Sequence, residues 1–296
     1  MKRIYVTSLH RVPDPNEEGD LGKLYIIDWE DKQLRHKPLA TESITIGRSR
    51  GIRGITWHNG KLVVAGVTNN ISVYNPDTLE LENSFPNGDA KYLHQIRSHN
   101  GMLHMASTGN DVVVRAPLYG CDSIAELRDI IDPYITHPNA CPWGGDRLHF
   151  NSLAWDENGD EYHVYNAASM IFNFTKKEVF CHSRAFHALH DLVITPTHMI
   201  TNSSGDRATL SIDRKTKDIS VIHKSRRHPT YSTNLHGMTR GLAAHGNHLF
   251  IGITPGDIAL YYKWKDQYEF VSNFSLSIDP RESIFDILLD PRDWTE

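Results

Sequence analysis

The sequence has few cysteines, no long apolar run and no short catalytic motif. Its three cysteines, Cys121, Cys141 and Cys181, lack CxxC spacing, which argues against a disulfide scaffold or a cysteine-based zinc site. No segment approaches the roughly 18 apolar residues of a membrane-spanning helix. The opening MKRIYVTSLH also lacks the apolar core of a signal peptide. These absences predict a cytoplasmic protein with reduced thiols and no membrane contact.

Excess positive charge is absent as well. Lys and Arg total 31 against 36 Asp and Glu, a net charge of −5, so the basic face that binds nucleic acid is not expected. The sequence contains no GxSxG, Walker A or GxGxxG motif. What it does contain is histidine, 18 residues in a chain of 296 with a globular composition.

One sequence unit recurs along the chain. A polar residue, here called the opener, is followed two positions later by Ile or Leu, then by a turn and an apolar-alternating strand. The gaps between openers are 41, 57, 39, 50 and 46 residues, which suits propeller blades of about 40–50 residues. The openers are Arg53, His94, Asn151, His190, Arg240 and Asp286.

The second half of each unit adds two more short strands. This pattern predicts an all-β, six-bladed β-propeller of four-stranded antiparallel blades, as a single domain over residues 1–296. The strand Arg3–Thr7 is predicted to close the C-terminal blade that Asp286 opens. An insertion at about 119–143 should hold a helix-like piece at Ile124–Ile131. Five blades and an irregular β-sandwich are the alternatives.

The openers should meet at the propeller axis, because the first strand of each blade lines it. Polar groups at six such positions predict a channel filled with water or ligand. His94, His149 and His190 are the predicted metal ligands, and strand alternation would put His149 on the same face as Asn151. Imidazoles without thiolates suit Fe, Mn or Zn better than Ca. The alternative is that these rings bond only to strand ends and channel waters.

Four openers are predicted to bind the substrate. Arg53 and Arg240 could hold an anionic group through their guanidinium groups, and Asn151 and Asp286 could also supply oxygen ligands to the metal. A structural ion pair between the arginines and Asp286 is the alternative. Two further histidines close to the openers, His187 and His236, are the predicted catalytic proton carriers.

Other features are predicted to be structural. Thr108–Asp111 and Ser204–Arg207 share a Gly-centred pattern typical of a tight turn after the second strand of a blade. Eight histidines on turns or outer strands are expected at the surface: His36, His58, His99, His163, His182, His223, His245 and His248.

Four stretches resemble poorly characterised, His-rich bacterial propeller proteins. They are LHQI at 93–96, ASTGND at 106–111, HFNS at 149–152 and HALH at 187–190. The predicted fold also resembles the six-bladed propellers of the gluconolactonase (SMP-30-like) and NHL-repeat families.

The resemblance to the gluconolactonases implies a central divalent metal held by Glu, Asn and Asp. Only Asn151 and Asp286 correspond to such ligands, and Arg53 stands where the acidic ligand of the first blade is expected.

The sequence therefore predicts a metal-dependent enzyme that acts on a small polar, anionic substrate in the central channel. Hydrolase, lyase and oxygenase chemistry all remain open, as do the substrate, the metal and the oligomeric state. Two alternatives are a non-catalytic propeller that binds a peptide or glycan, and a scaffold propeller with an exposed apolar face.

Overall fold

The computed structural model describes residues 2–11, 22–38, 49–66, 70–86, 90–117, 123–126, 148–225, 236–277, 279 and 281–295. These ranges consist of β-strands, turns and two single-turn 3₁₀ segments, Thr108–Asn110 and Ser204–Asp206. Within them, no helix is long and apolar enough to cross a membrane. Cys121, Cys141 and the predicted insertion, apart from residues 123–126, lie outside the described residues.

The strands follow one another in antiparallel hairpins. In chain order they are β1 Arg3–Arg11, β2 Lys23–Asp28, β3 Gln33–Pro38, β4 Ser49–His58, β5 Lys61–Gly66, β6 Asn70–Tyr74, β7 Leu81–Pro86, β8 Leu93–His99, β9 Met102–Ser107, β10 Val112–Ala116, β11 Ser123–Glu126, β12 Phe150–Trp155, β13 Glu161–Tyr165, β14 Met170–Asn173, β15 Glu178–His182, β16 Leu189–Ile194, β17 His198–Ser203, β18 Ala208–Asp213, β19 Ile219–Lys224, β20 Thr239–His245, β21 His248–Ile253, β22 Asp257–Trp264, β23 Gln267–Ser275 and β24 Glu282–Leu289.

Asn-Gly turns connect two of the hairpins, as the repeat predicts. Asn59 and Gly60 have φ of 48° and 78°, and Asn100 and Gly101 have φ of 50° and 75°. Positive φ at both central residues matches the turn to the twist of the flanking strands. The predicted helical piece is partly wrong, because Ser123–Glu126 is a strand paired with β10. The rest of that piece lies beyond the described ranges.

Four sheets are separate blades of four consecutive strands, namely β8–β11, β12–β15, β16–β19 and β20–β23. The eight other strands form one sheet, in which β24, β1, β2 and β3 join β4–β7. The joint consists of three residue pairs between β1 and β4, from Leu9↔Gly51 to Arg11↔Ser49. The structure thus has four separate four-stranded blades and one eight-stranded sheet, where the sequence predicts six separate blades.

The N-terminal strand pairs with the C-terminal one, as predicted. β1 and β24 are antiparallel, with Ile4 opposite Leu289 and Thr7 opposite Asp286. The buried side chains of Ser8 and Glu282 add a hydrogen bond of 2.6 Å across the same pair.

The apolar core lies between neighbouring groups of four strands. One cluster joins Val63 and Ile71 of β5 and β6 to Met105 and Val114 of β9 and β10. The first strands of successive groups also contact one another, in the order β4, β8, β12, β16, β20, β24 and back to β4. These contacts form a closed ring around one axis.

Each first strand in this ring is irregular near its opener. The pairing register slips at Arg53 in β4, His94 in β8 and Asn151 in β12, and within β16, β20 and β24. A β-bulge inserts an extra residue and redirects the side chains beside it. In β24 the extra residue is Phe285, which lies between the pairs Ser8↔Ile284 and Thr7↔Asp286.

Candidate metal centre

Three predicted metal ligands come together at the axis. His94, His149 and His190 each offer a ring nitrogen, and the three nitrogens lie within 4.8 Å of one another. The His94 ring centroid is 5.4 Å from that of His149 and 5.9 Å from that of His190. Three ring nitrogens within this distance form a candidate site for an imidazole-ligated metal.

His149 reaches the cluster by a different route from the predicted one. It precedes β12 and has a φ of 52°, so strand alternation does not apply to it. Tyr92 and Ala188, each two residues before an opener, have φ of 59° and 54°. This left-handed position is a recurrent feature of the chain just before these first strands.

The rings of His94 and His190 are held through Nδ1. The Nδ1 of His94 lies 2.8 Å from Thr108 Oγ1. The Nδ1 of His190 lies 2.8 Å from the Ala188 carbonyl and 3.1 Å from Ser204 Oγ. Sequence reasoning treated Thr108 and Ser204 as turn residues only. The sequence feature that could have indicated this second role is the hydroxyl residue that begins both Gly-centred turns.

The cluster is buried and electropositive. Burial lowers the pKa of His94 well below its usual 6.5, and the positive charge of Arg53, the two other histidines and Arg240 lower it further. His94 is therefore a neutral imidazole, the form that binds a metal. Among the described residues, this group of potential ligands contains no carboxylate.

The two predicted substrate-binding arginines lie beside the cluster and around Phe285. The guanidinium carbon of Arg53 is 5.5 Å from the Phe285 ring centroid, and that of Arg240 is 4.9 Å from it. Arg53 is buried, stacks on Tyr92 at 3.7 Å and donates to the Leu93 carbonyl at 3.3 Å. Arg240 is partly exposed, so it is the arginine better placed to reach a ligand from solvent.

The openers do not line an open channel. Arg53 and Asn151 are each 2% exposed, His94 is 4% and His190 is 5%. Several of their polar atoms hydrogen-bond to one another or to the backbone. Asn151, for example, donates to the Leu189 carbonyl at 2.5 Å, while its Oδ1 has no hydrogen-bond partner among the described residues.

Asp286 belongs to a different layer from the one predicted. Its carboxylate accepts hydrogen bonds from both Nη atoms of Arg97, at 2.7 and 3.0 Å, and from the backbone N–H of Ile55 at 3.2 Å. The bulge at Phe285 puts a phenyl ring at the opener position. Asp286 therefore belongs to a buried ion pair whose partner is Arg97 instead of Arg53 or Arg240, and its role in substrate binding stays a prediction.

A second buried carboxylate, Asp191, accompanies this pair. Burial and the negative charge of Asp286 raise the pKa of Asp191 to about 6. The hydrogen bond from Asn202 and the positive charge of Arg97 lower this pKa, but by less. Its Oδ2 accepts from Asn202 Nδ2 at 3.0 Å and from the Gly241 N–H at 2.9 Å. Asp191 and Asp286, which directly follow His190 and Phe285 in the chain, thus form a polar layer with Arg97.

The two predicted proton carriers are not part of the cluster. The His187 side chain is 70% exposed, lies against Gly205 and is 3.5 Å from Asp206 Oδ1. It precedes Ala188, whose left-handed backbone separates it from His190. His236 is partly buried, and its carbonyl accepts from Arg207 Nε at 2.9 Å. The structure thus places His187 at the surface and His236 outside the cluster, and the catalytic roles of both stay predictions.

Two histidines expected at the surface are instead buried. His163 is fully buried, with Nδ1 2.8 Å from the Tyr165 hydroxyl and Nε2 2.6 Å from Glu161 Oε1. His58 is also buried, 2.9 Å from Ser98 Oγ. The surface prediction for His163 and His58 was wrong because a nearby turn in the sequence does not show whether a side chain on the strand faces the core.

Sequence comparisons find no relative. No protein-family model matches the chain, and no curated protein matches it.

Structural comparisons give full-length matches at low identity. A chain of the nidogen/laminin complex has a TM-score of 0.63 at 8% identity, covering 97% of each chain. A candidate 6-phosphogluconolactonase from Bacteroides uniformis has a TM-score of 0.58 at 11% identity, covering 94% of this chain and 84% of that one. The β-propeller domain of Cps50 (Swd1) from Myceliophteria thermophila has a TM-score of 0.51 at 11% identity, covering 96% of each. Identities this low identify the fold alone, and the chain is accordingly an all-β propeller.

Proposed function

We propose that the protein is a metal-dependent enzyme that acts on a small anionic substrate at the propeller axis. The observation that carries the proposal is the convergence of His94, His149 and His190 within 4.8 Å. Three neutral nitrogen ligands favour Fe, Mn or Zn over Ca, which prefers oxygen ligands. A bound metal of this kind would polarise a carbonyl or a water molecule.

The charge around the cluster supports an anionic substrate. Arg53 and Arg240 both lie near enough to His94 to lower its pKa, and the buried carboxylate of Asp286 is already paired with Arg97. A divalent cation would add two further positive charges. We infer that Arg240 binds the anion directly, and that the buried Arg53 strengthens the local positive potential.

Asn151 and His236 have supporting roles in this proposal. The buried Oδ1 of Asn151 would accept a hydrogen bond from a hydroxyl or water of the bound substrate, since the described residues give it no donor. His236 would carry a proton. Hydrolysis, elimination and oxygenation all fit this set, and the lactonase described among the structural neighbours is consistent with the first.

The experiment compares metal binding in matched histidine variants. Elemental analysis and calorimetric titration with Zn²⁺, Mn²⁺ and Fe²⁺ should show one metal per wild-type chain and none in His94→Ala or His190→Ala. His187→Ala removes an exposed imidazole and should bind metal normally. Wild-type protein that binds none of these metals would overturn the proposal and favour a non-catalytic binding module.

We also propose that the ring contains six blades. In support, Tyr5, Leu24 and Ile26 of β1 and β2 pack face to face against Ile55 and Leu62 of β4 and β5, as neighbouring blades do. β1 and β4 share only three residue pairs at one end. An experimental density map should show two twisted blades that meet at this joint, and one continuous flat sheet would contradict the count.

A further inference from the structure

Two buried hydroxyls link the cluster of His94, His149 and His190 to the neighbouring blades. Thr108 and Ser204 are the first residues of the two 3₁₀ turns, and both are fully buried. Thr108 Oγ1 lies 2.5 Å from the Phe150 carbonyl, and Ser204 Oγ lies 2.6 Å from the Thr239 carbonyl. Each oxygen also contacts the Nδ1 of a ring in the cluster, at 2.8 Å for His94 and 3.1 Å for His190.

The positions of the protons follow from what each group can donate. A hydroxyl has one proton, and a carbonyl oxygen only accepts. Thr108 and Ser204 therefore donate to their carbonyls, and their oxygens accept from the Nδ1–H of the histidines. His94 Nδ1 also lies 3.3 Å from Arg53 Nη1, which only donates, but the contact with Thr108 is shorter at 2.8 Å, and Arg53 Nη1 has the Leu93 carbonyl at 3.3 Å as its acceptor. The Ala188 carbonyl, 2.8 Å from His190 Nδ1, requires the same tautomer independently. Each ring, in its neutral form, then carries its lone pair on Nε2.

We propose that Thr108 and Ser204 are positioning residues for the metal ligands. Each hydroxyl fixes a ring as the Nδ1–H tautomer, so that its Nε2 lone pair faces the shared centre. Metal-binding histidines generally donate their other N–H to a fixed acceptor in this way. The inference rests on the proposed function for the metal itself, whereas the tautomer is a property of the protein alone.

The same hydroxyls couple ligand geometry to blade spacing. Thr108 bonds to Phe150, the residue directly after His149, so it ties the ring of one ligand to the strand start that carries another. Ser204 makes the equivalent bond to Thr239, one residue before Arg240. A change in the packing between blades would therefore alter both the ligand separation and the position of the arginine.

The first test needs no metal. Nitrogen-15 NMR of metal-free wild-type protein reports which imidazole nitrogen carries the proton, with signals assigned by their loss in His94→Ala and His190→Ala. We expect Nδ1–H for both rings. Nε2–H in either ring would overturn the inference, whatever the protein binds.

The second test measures Zn²⁺ affinity by competition with a chelating dye. Thr108→Val and Ser204→Ala should weaken binding by about 10–100-fold, and Thr108→Ser should restore it. Ser107→Ala and Ser203→Ala are the matched controls, because these neighbouring buried hydroxyls bond to backbone carbonyls rather than to the cluster. Equal losses in controls and test variants, or no loss in the test variants, would overturn the positioning role. Wild-type protein with the Nδ1–H tautomer but no Zn²⁺ binding would instead overturn the proposed function and leave the tautomer assignment supported.

Discussion

Two buried histidine clusters in this propeller have opposite chemistry. In the cluster of His163, each ring nitrogen has its own partner, the Tyr165 hydroxyl on one side and the Glu161 carboxylate on the other. Arg115 completes it with an ion pair of 3.0 Å to Glu161. In the axial cluster, the rings of His94, His149 and His190 face one another, and arginines stand beside them.

This difference in partners indicates that the His163 cluster stabilises the fold and that the axial cluster binds a ligand. A carboxylate between an imidazole and a guanidinium gives each of the three groups a hydrogen-bond or charge partner. The His163 cluster therefore stabilises the folded protein. In the axial cluster, the potential ligands among the described residues are three imidazoles and no carboxylate, and imidazoles gathered beside positive charge are typical of functional sites. We therefore expect substitutions in the first cluster to unfold the protein and substitutions in the second to abolish binding.

The largest effect is expected from Glu161→Gln. Removing this carboxylate leaves Arg115 and His163 without their shared partner, which should lower the free energy of unfolding by about 3–5 kcal/mol, measured by urea denaturation. Metal binding should be unchanged. Glu157→Gln removes an exposed carboxylate paired with Arg214, and it should leave the urea midpoint almost unchanged because exposed ion pairs contribute little to stability. Equal losses of stability in the two variants would refute the contrast.

Metal should stabilise the protein through the axial cluster only. Zn²⁺ at 100 times its dissociation constant should raise the free energy of unfolding of the wild type by about 2.7 kcal/mol, seen as a higher melting temperature. His190→Ala should show no such rise, while His187→Ala should behave as wild type. A rise that persists in His190→Ala would locate the metal elsewhere.

Acid should destabilise the fold in two stages. Burial lowers the pKa of His104 from 6.5 to about 4, so the folded protein resists protonation and loses stability as the pH falls from about 6.5 to 4. For Glu161, burial alone would raise the pKa, but the hydrogen bond and charge of His163 and the charge of Arg115 hold it at about 2.

The contribution of Glu161 is thus complete above its ordinary pKa of 4.5 and is lost below it, towards pH 2. Each group should contribute about 1–3 kcal/mol. Urea midpoints from neutral pH down to about pH 4 measure the first stage, and His104→Gln should flatten it. A midpoint independent of pH over this range would contradict the assignment.

The smallest effect concerns the anion. Arg240→Ala should weaken binding of inorganic phosphate to the metal-loaded protein about tenfold, or about 1.4 kcal/mol, by isothermal calorimetry. Stability should not change, because Arg240 is partly exposed. Arg240→Lys retains the charge and should lose less, and unchanged affinity in both variants would remove Arg240 from the site.

The repeat in the sequence predicts which strands surround the propeller axis. The spacing of the openers identified the first strand of each group, and the pairing of β1 with β24 followed from it. His94 and His190 were found because they occupy opener positions. His149 was also identified, although its left-handed backbone, and not alternation, brings it to the cluster.

Other parts of the site could not be read from the sequence. The bulge at Phe285 shifts the register of β24 by one residue, and nothing in the local pattern marks it, so Asp286 was assigned to the wrong layer. Arg97 was missed for a related reason, since its partner is 189 residues away. The hydroxyl of Thr108 looked like ordinary turn chemistry, because its second role depends on the adjacent blade.

The pairing of β1 with β24 has a kinetic consequence. Ser8 and Glu282, which bond across it, are separated by 274 residues, and contacts between such distant segments form slowly because a very large loop must close first. The hairpins within each group need only local encounters. We therefore expect refolding to produce β-structure early and the sealed ring late, so that protection of β1 amides from hydrogen exchange lags behind that of β12–β19.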